Sequence, residues 1–253
     1  MLSPIYFLKD QFLKKREREK DKSREIRKLR AVIQLVMTTR LALFPLQNVV
    51  FPGEKLPLHI FEERYKQLIQ DCESTGITFG IPVFLNNRLE YGTEVELSEV
   101  VKSYPSGAKD VICSGLRVFR IREFDHQEKG KIYAGGDVEF LEDIDDPEEE
   151  QVSQLIDLIT ELYVHLEVPA PKFDRDTFRS FTYAHKIGLS LQQEYSLLKQ
   201  TSEKQRLSYL INHLLITIPI VQEMNRAKYV IELNGHFRNF DPLDFREFRL
   251  RQK

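Results

Sequence analysis

Ser106 and Lys109 stand in the order S-x-x-K, a spacing at which a lysine amine can act as base to a serine nucleophile. Their surroundings speak against that use. Tyr104-Pro-Ser-Gly107 reads as a hairpin turn, where serine, glycine and lysine are ordinary, and the positioned base and oxyanion donors of acyl transfer have no visible source. His59 and Glu62, three residues apart across a strand-to-helix junction, are the nearest approach to a ligand pair. Hydrogen bonds that tie down the junction explain them better than a metal ion. The six histidines (His59, His126, His165, His185, His213 and His236) show no metal-ligand spacing. Cys72 and Cys113 sit among apolar neighbours and read as small buried hydrophobes. No Walker-type phosphate loop, H-E-x-x-H or G-x-S-x-G is present. The expectation is a chain with no catalytic residue, no metal and no cofactor.

The elements that would position any site fall into two kinds. From Arg40 to Asp146 the chain reads as strands: 41–46, 55–60, 79–85, 93–104, 110–116, 118–124 and 133–141. Phe51-Pro-Gly53 is a turn between the first two. One helix interrupts them, because Tyr65, Leu68, Ile69 and Cys72 fall at i, i+3, i+4 and i+7, and Gly76 stops it. Many strands with one helix point to a closed or nearly closed barrel, which leaves few exposed edges.

The acidic, proline-containing stretch 143–150 reads as a linker entering a helix N-terminus. Helical spacing follows in Val152, Leu155, Ile156, Ile159, Leu162, Tyr163 and Leu166, ended by Val168-Pro-Ala-Pro171. A second helix is expected over 174–187, stopped by Gly188. Ser190-x-x-Gln193 and Ser202-x-x-Gln205 are capping-box patterns opening a third and a fourth. The fourth carries the stripe Leu207, Leu210, Ile211, Leu214, Leu215 and Ile218, should kink at Pro219 and should end at Asn234-Gly235. The expected organisation is a basic extension over 1–36, a strand domain over 37–146, a helical bundle over 147–235 and a tail over 236–253.

Charge is divided unevenly. Residues 1–36 hold eleven Lys/Arg against five acids, leaving 26 basic and 34 acidic residues in the rest. Such a basic run usually means a solvated tail or frayed helix, with a nucleic-acid or membrane arm as the functional alternative. Met37, just before the first strand, is a second candidate translation start. A chain beginning at Met37 is expected to melt within a degree or two of the full chain. A loss above about 2 kcal/mol would show that the extension packs on the body. No apolar run reaches the ~20 residues of a membrane span. The run Ala31 to Met37 is broken by Gln34 and lacks a small-residue cleavage site, so the chain is expected to be cytoplasmic. Sparse cysteine fits a reducing compartment.

One block of motifs is specific as a set. Leu43-Phe-Pro-Leu46, Phe51-Pro-Gly53 and Leu56-Pro-Leu-His-Ile-Phe-Glu-Glu-Arg-Tyr65 resemble the opening signature of the Lon protease N-terminal domain family. Phe79-Gly80, Gly92-Thr93 and Gly115-Leu-Arg-Val-Phe-Arg120 follow in that family's order and spacing. The resemblance is strong over 41–145 and one of kind only to about residue 230. It implies an α+β fold: a PUA-like, mostly antiparallel β-barrel with one inserted helix, then a C-terminal helical bundle. It also implies an ATP-independent substrate-binding module, since in Lon proteases (peptidase family S16) separate domains carry ATP hydrolysis and the Ser-Lys peptidase dyad. The expected partners are unfolded or partly folded proteins or peptides, with a protease or chaperone as associate and no membrane. An apolar groove between barrel and bundle is the expected binding place, with Phe44, Phe51, His59, Phe61, Arg64, Tyr65 and Arg117 as candidate peptide-binding residues. RNA binding and small-molecule sensing are the alternatives, and the acidic body disfavours nucleic acid. The aromatics Phe237, Phe240, Phe245 and Phe248 lie outside the signature.

Overall fold

A computed structural model describes residues 38–175 and 177–233, with side chains in the last helix as far as 230. The expected extension over 1–36 and the tail over 236–253 lie outside the described residues. The chain divides between Glu142 and Asp143 into two compact units.

Among the described residues the first unit holds six strands and a helix: β1 (Thr39–Leu43), β2 (Lys55–Ile60), α1 (Glu63–Thr75), β3 (Phe79–Leu85), β4 (Arg88–Ser103), β5 (Lys109–Asp125) and β6 (Ala134–Phe140). Their order in the sheet is β2-β5-β4-β3-β1-β6, and β5 pairs with β6 as well. Of these strands β1 and β3 run parallel, and the other described pairs are antiparallel. Two strands were expected over 110–124, but β5 is continuous. Its first half pairs with β2 and its second half with β6, while β4 runs beside both. Gly115 sits at the changeover. A Cβ there would lie 2.3 Å from the Phe51 carbonyl oxygen, so only glycine lets the Phe51-Pro-Gly53 turn close onto β5. The Gly115 N–H donates to Glu54 O and its carbonyl accepts from Gly53 N, both at 2.9 Å.

A second difference lies at β4, which begins at Arg88 rather than residue 93. Asn86 and Asn87 both take positive φ (52° and 57°), which makes a two-residue hairpin turn without the usual Asn-Gly signal. The other turn follows its sequence: Gly107 has φ 79° and donates to Tyr104 O at 2.9 Å. Helix α1 buries Tyr65, Leu68, Ile69 and Cys72, the face its spacing predicts, and Gly76 caps it in the left-handed conformation. These residues join Phe79, Ile81, Val95, Val111 and Cys113 in the main core, which holds Phe44 and Val50 as well.

The second unit contains α2 (Glu149–His165), α3 (Phe181–Ala184), α4 (Leu191–Leu198) and α5 (Glu203–Leu233). Leu155, Ile156, Ile159 and Leu162 are buried on α2, and Leu207, Leu210, Ile211, Leu214 and Ile218 on α5. Leu215, expected in that stripe, is exposed instead. The helix expected over 174–187 is mostly turns, with four helical residues. The reason is a competing set of bonds. Thr177 Oγ1 donates to Asp174, and the Ser180 N–H and Oγ both donate to the buried Glu203 carboxylate. The Ser190–Gln193 capping box is complete in both directions. At Ser202 the pattern is different. Ser202 Oγ accepts from Gln205 N at 3.3 Å but donates to Asp146, whose carboxylate also accepts the Lys204 N–H at 3.0 Å. These bonds, with the Lys204 N–H first among them, hold the Asp146 carboxyl below the usual carboxylate range. The stretch expected as a linker is thus tied to the start of α5. Helix α5 continues through Pro219, and its expected stop at Asn234-Gly235 lies outside the described residues. Among the described residues no helix is long and apolar enough to cross a membrane.

Candidate functional site

Among the described residues strand β2 stands at the end of the sheet order and pairs only with β5. Its side chains alternate. Leu56, Leu58 and Ile60 turn toward the core, whereas Lys55, Pro57 and His59 are exposed. The backbone alternates too. Because Glu54 O accepts from Gly115 N, Leu56, Leu58 and Ile60 direct their backbone groups at β5, and Lys55, Pro57 and His59 direct theirs away from it. Pro57 brings no N–H to that free edge, which blunts strand addition by another chain.

Where β2 leaves the sheet, Phe61 is 63% exposed, unusual for a phenylalanine. The His59 ring stacks beside it, with centroids 5.9 Å apart, and meets Tyr104 edge-on at 5.8 Å. His59 Nδ1 lies 2.6 Å from Asp110 Oδ1, and Tyr104 OH donates to Asp110 Oδ2 at 2.7 Å. The His59 bond, and after it the Tyr104 bond, hold the Asp110 carboxyl below its ordinary value. With both carboxylate oxygens accepting, His59 Nδ1 carries a proton. The Lys102 ammonium lies 4.6 Å from the Tyr104 ring centroid. The sheet register makes the group: His59 on β2 faces Asp110 on β5, which faces Lys102 on β4. Tyr104, Asp110 and Lys102 are missing from the sequence-derived set. The Tyr104-Pro-Ser-Gly107 turn was the signal that could have placed them, since it fixes this register.

The seven candidates therefore separate. Phe44, Phe51 and Tyr65 are buried, and Phe44 stacks on Tyr65 with centroids 3.7 Å apart. His59 and Phe61 share the exposed aromatic group. Arg64 lies beside it in sequence, with its guanidinium 4.5 Å from the Tyr65 centroid and its Nε donating to Glu62 at 2.9 Å. Glu62 is thus engaged with Arg64 and His59 with Asp110, so the junction is not tied by a direct His59–Glu62 bond. Arg117 belongs to a different group: it covers the Phe140 ring at 3.7 Å and pairs with the buried Glu94 at 2.8 Å.

The S-x-x-K residues do not form a dyad. Lys109 Nζ pairs with Glu73, and Ser106 Oγ accepts from Ala108 N in the turn. Burial pushes the Cys72 and Cys113 thiols up to about 11 and about 12, which keeps both protonated and inert. Among the described residues no group of three His, Cys, Asp or Glu could hold a metal ion.

The profile of the ATP-dependent protease La (Lon) substrate-binding domain matches residues 40–224, the start of β1 to well inside α5. The chain belongs to this family. Among solved structures it is similar to a Lon N-terminal domain protein from Xanthomonas campestris, at 27% identity and a TM-score of 0.53, over 69% of this chain and 98% of that one. The N-terminal domain of a Mycobacterium avium complex Lon protease shares the fold at 15% identity and a TM-score of 0.52, over 70% of this chain and 98% of that one. The family is a substrate-binding one, and both relatives are N-terminal domains rather than peptidase domains.

Proposed function

We propose that this chain is a non-catalytic module that holds exposed apolar segments of unfolded or partly folded proteins in the cytoplasm, in association with a protease or chaperone. The observation that carries the reading is Phe61, an exposed ring stacked beside His59, which in turn meets Tyr104, on a member of a substrate-binding family. A ring so placed is a ready anchor for an apolar side chain of a bound segment. The blunted β2 edge favours recognition through side chains over strand addition. The circuit of pairings β5–β4–β3–β1–β6, which returns to β5, supports a PUA-like barrel as the scaffold.

A peptide array probed with the protein, followed by salt titration of the strongest hits, tests the proposal. Apolar and basic peptides are expected to bind best, because the body outside 1–36 carries more acids than bases. Binding should survive a rise from ~50 to ~200 mM salt, over which phosphate-driven binding falls by orders of magnitude. Phe61→Ala is expected to weaken the best hits about tenfold or more, with little change in melting temperature because the ring is exposed. Failure of every peptide, alongside RNA binding with a steep salt slope, would sink the proposal. Normal binding by a folded Phe61→Ala chain would leave a module but move its contact surface elsewhere.

The same reading makes the chain a binder without catalysis. Lys109 is committed to Glu73, so no base stands ready for Ser106. Neither ATP hydrolysis nor casein cleavage is expected from purified protein; cleavage that persists through purification and disappears in Ser106→Ala would overturn this.

A further inference from the structure

The exposed aromatic group at the end of β2 contains an acceptor that the fold does not use. Asp110 Oδ1 lies 2.6 Å from His59 Nδ1, and Asp110 Oδ2 accepts from the Tyr104 hydroxyl at 2.7 Å. These bonds keep the carboxyl ionised, so the proton between it and the imidazole sits on Nδ1. In a neutral imidazole the other nitrogen is then a lone-pair acceptor. Among the described residues His59 Nε2 has no partner, and the side chain is 56% exposed. Asp110 has both oxygens engaged and Lys102, over the Tyr104 ring, is a donor only, so Nε2 is the acceptor this group offers to a ligand.

That atom belongs to a ring nearly parallel to Phe61: the planes are 25° apart and the centroids 5.9 Å. A side chain that covers Phe61 therefore reaches His59 as well, since aromatic rings interact over about 4.5–7 Å. A purely aliphatic occupant would shield the Nε2 lone pair from water and return nothing, which costs the full desolvation of that atom. An occupant that brings a donor avoids the cost. Tryptophan combines a large apolar ring with an N–H that has no acceptor beside it. We propose that His59 is the specificity-determining residue of this group: its Nε2 accepts the indole N–H of a tryptophan in the bound segment while the indole ring lies on Phe61, and Asp110 is the positioning residue that fixes the tautomer. The inference rests on the apolar-segment reading above and narrows it.

Two fluorescein-labelled peptides of alanine, leucine and lysine test it, one with a central tryptophan and its twin with 1-methyltryptophan, which keeps the rings and loses the N–H. At about pH 8, on the neutral side of the imidazole range, the full chain is expected to bind the tryptophan peptide about three- to tenfold more tightly, the worth of one hydrogen bond. His59→Phe keeps a ring beside Phe61 but has no acceptor, and should bind the two peptides equally. Asp110→Ala should narrow the difference, and imidazole nitrogen NMR should show Nδ1–H in the parent chain and a shift toward the other tautomer in that variant. A merely structural role for Asp110 would not move this signal. Unchanged melting of both variants confirms their folding. Equal affinity of the parent for the twins would overturn this inference and leave the apolar-segment reading standing, as would a difference that survives in His59→Phe. Nε2–H in the parent chain would overturn it without any peptide. If neither twin binds and the peptide array is also blank, the apolar-segment reading fails and this inference falls with it.

Discussion

Glu203→Ala is expected to lower the stability of the helical unit by about 3–5 kcal/mol, the range for breaking a buried charge pair from one side. Glu203 and Arg206 are 1% and 3% exposed, one turn apart at the start of α5. The carboxylate accepts from Ser180 N at 2.7 Å, Ser180 Oγ at 2.8 Å and Arg206 Nε at 2.9 Å. Arg206 spends its other donors on Gln200 O at 3.0 Å and Asp143 at 2.7 Å, and its guanidinium covers the Phe181 ring at 4.4 Å. Truncation leaves two Ser180 donors and one guanidinium donor without an acceptor where water is excluded, so the desolvation cost stands uncompensated. Glu203→Gln, which keeps the shape and an acceptor oxygen, should lose clearly less. Urea unfolding followed by helical circular dichroism measures both. A Glu203→Ala loss within about 0.5 kcal/mol, the range of a neutral surface change, would show that the group is not a keystone of the 174–188 segment.

Tyr65→Ala is expected to cost the strand unit about 3–5 kcal/mol, as large-to-small changes of buried aromatics do. The ring lies in the core, stacked on Phe44, and its burial is the leading cause that raises the phenol above its ordinary pKa, with Arg64 acting in the opposite direction. Removing it leaves a void between Phe44 and the α1 face formed by Leu68, Ile69 and Cys72. This places Tyr65 and Phe61 in opposite classes although only three residues lie between them. Tyr65→Ala should lower the melting temperature by well over 5 °C, whereas Phe61→Ala should leave it unchanged and act on binding. A Tyr65→Ala chain that melts normally yet loses peptide binding would return Tyr65 to the contact surface.

The sequence by itself determined the elements whose signal is local. The spacing of Tyr65, Leu68, Ile69 and Cys72 specified α1 and the face it buries, because helical periodicity is a property of neighbours along one chain. The Ser190–Gln193 box, the Gly76 stop and the Tyr104-Pro-Ser-Gly107 turn were legible for the same reason: their hydrogen bonds close within a few residues. The motifs from Leu43 to Arg120 were sufficient to indicate the family. Only the tertiary structure decided the rest. It made β5 one strand by giving it two successive partners on one side. It turned 174–187 away from a helix by offering Ser180 a carboxylate 23 residues downstream, and it capped α5 with Asp146 from 56 residues upstream of Ser202. At the candidate site, residue type could not separate Phe44, Phe51 and Tyr65 from Phe61, since all are aromatic residues within one motif block. Whether such a ring stabilises the core or is available to a partner depends on what lies across from it. That is a matter of sheet register and of the path by which the chain leaves β2 for α1, which no local pattern encodes.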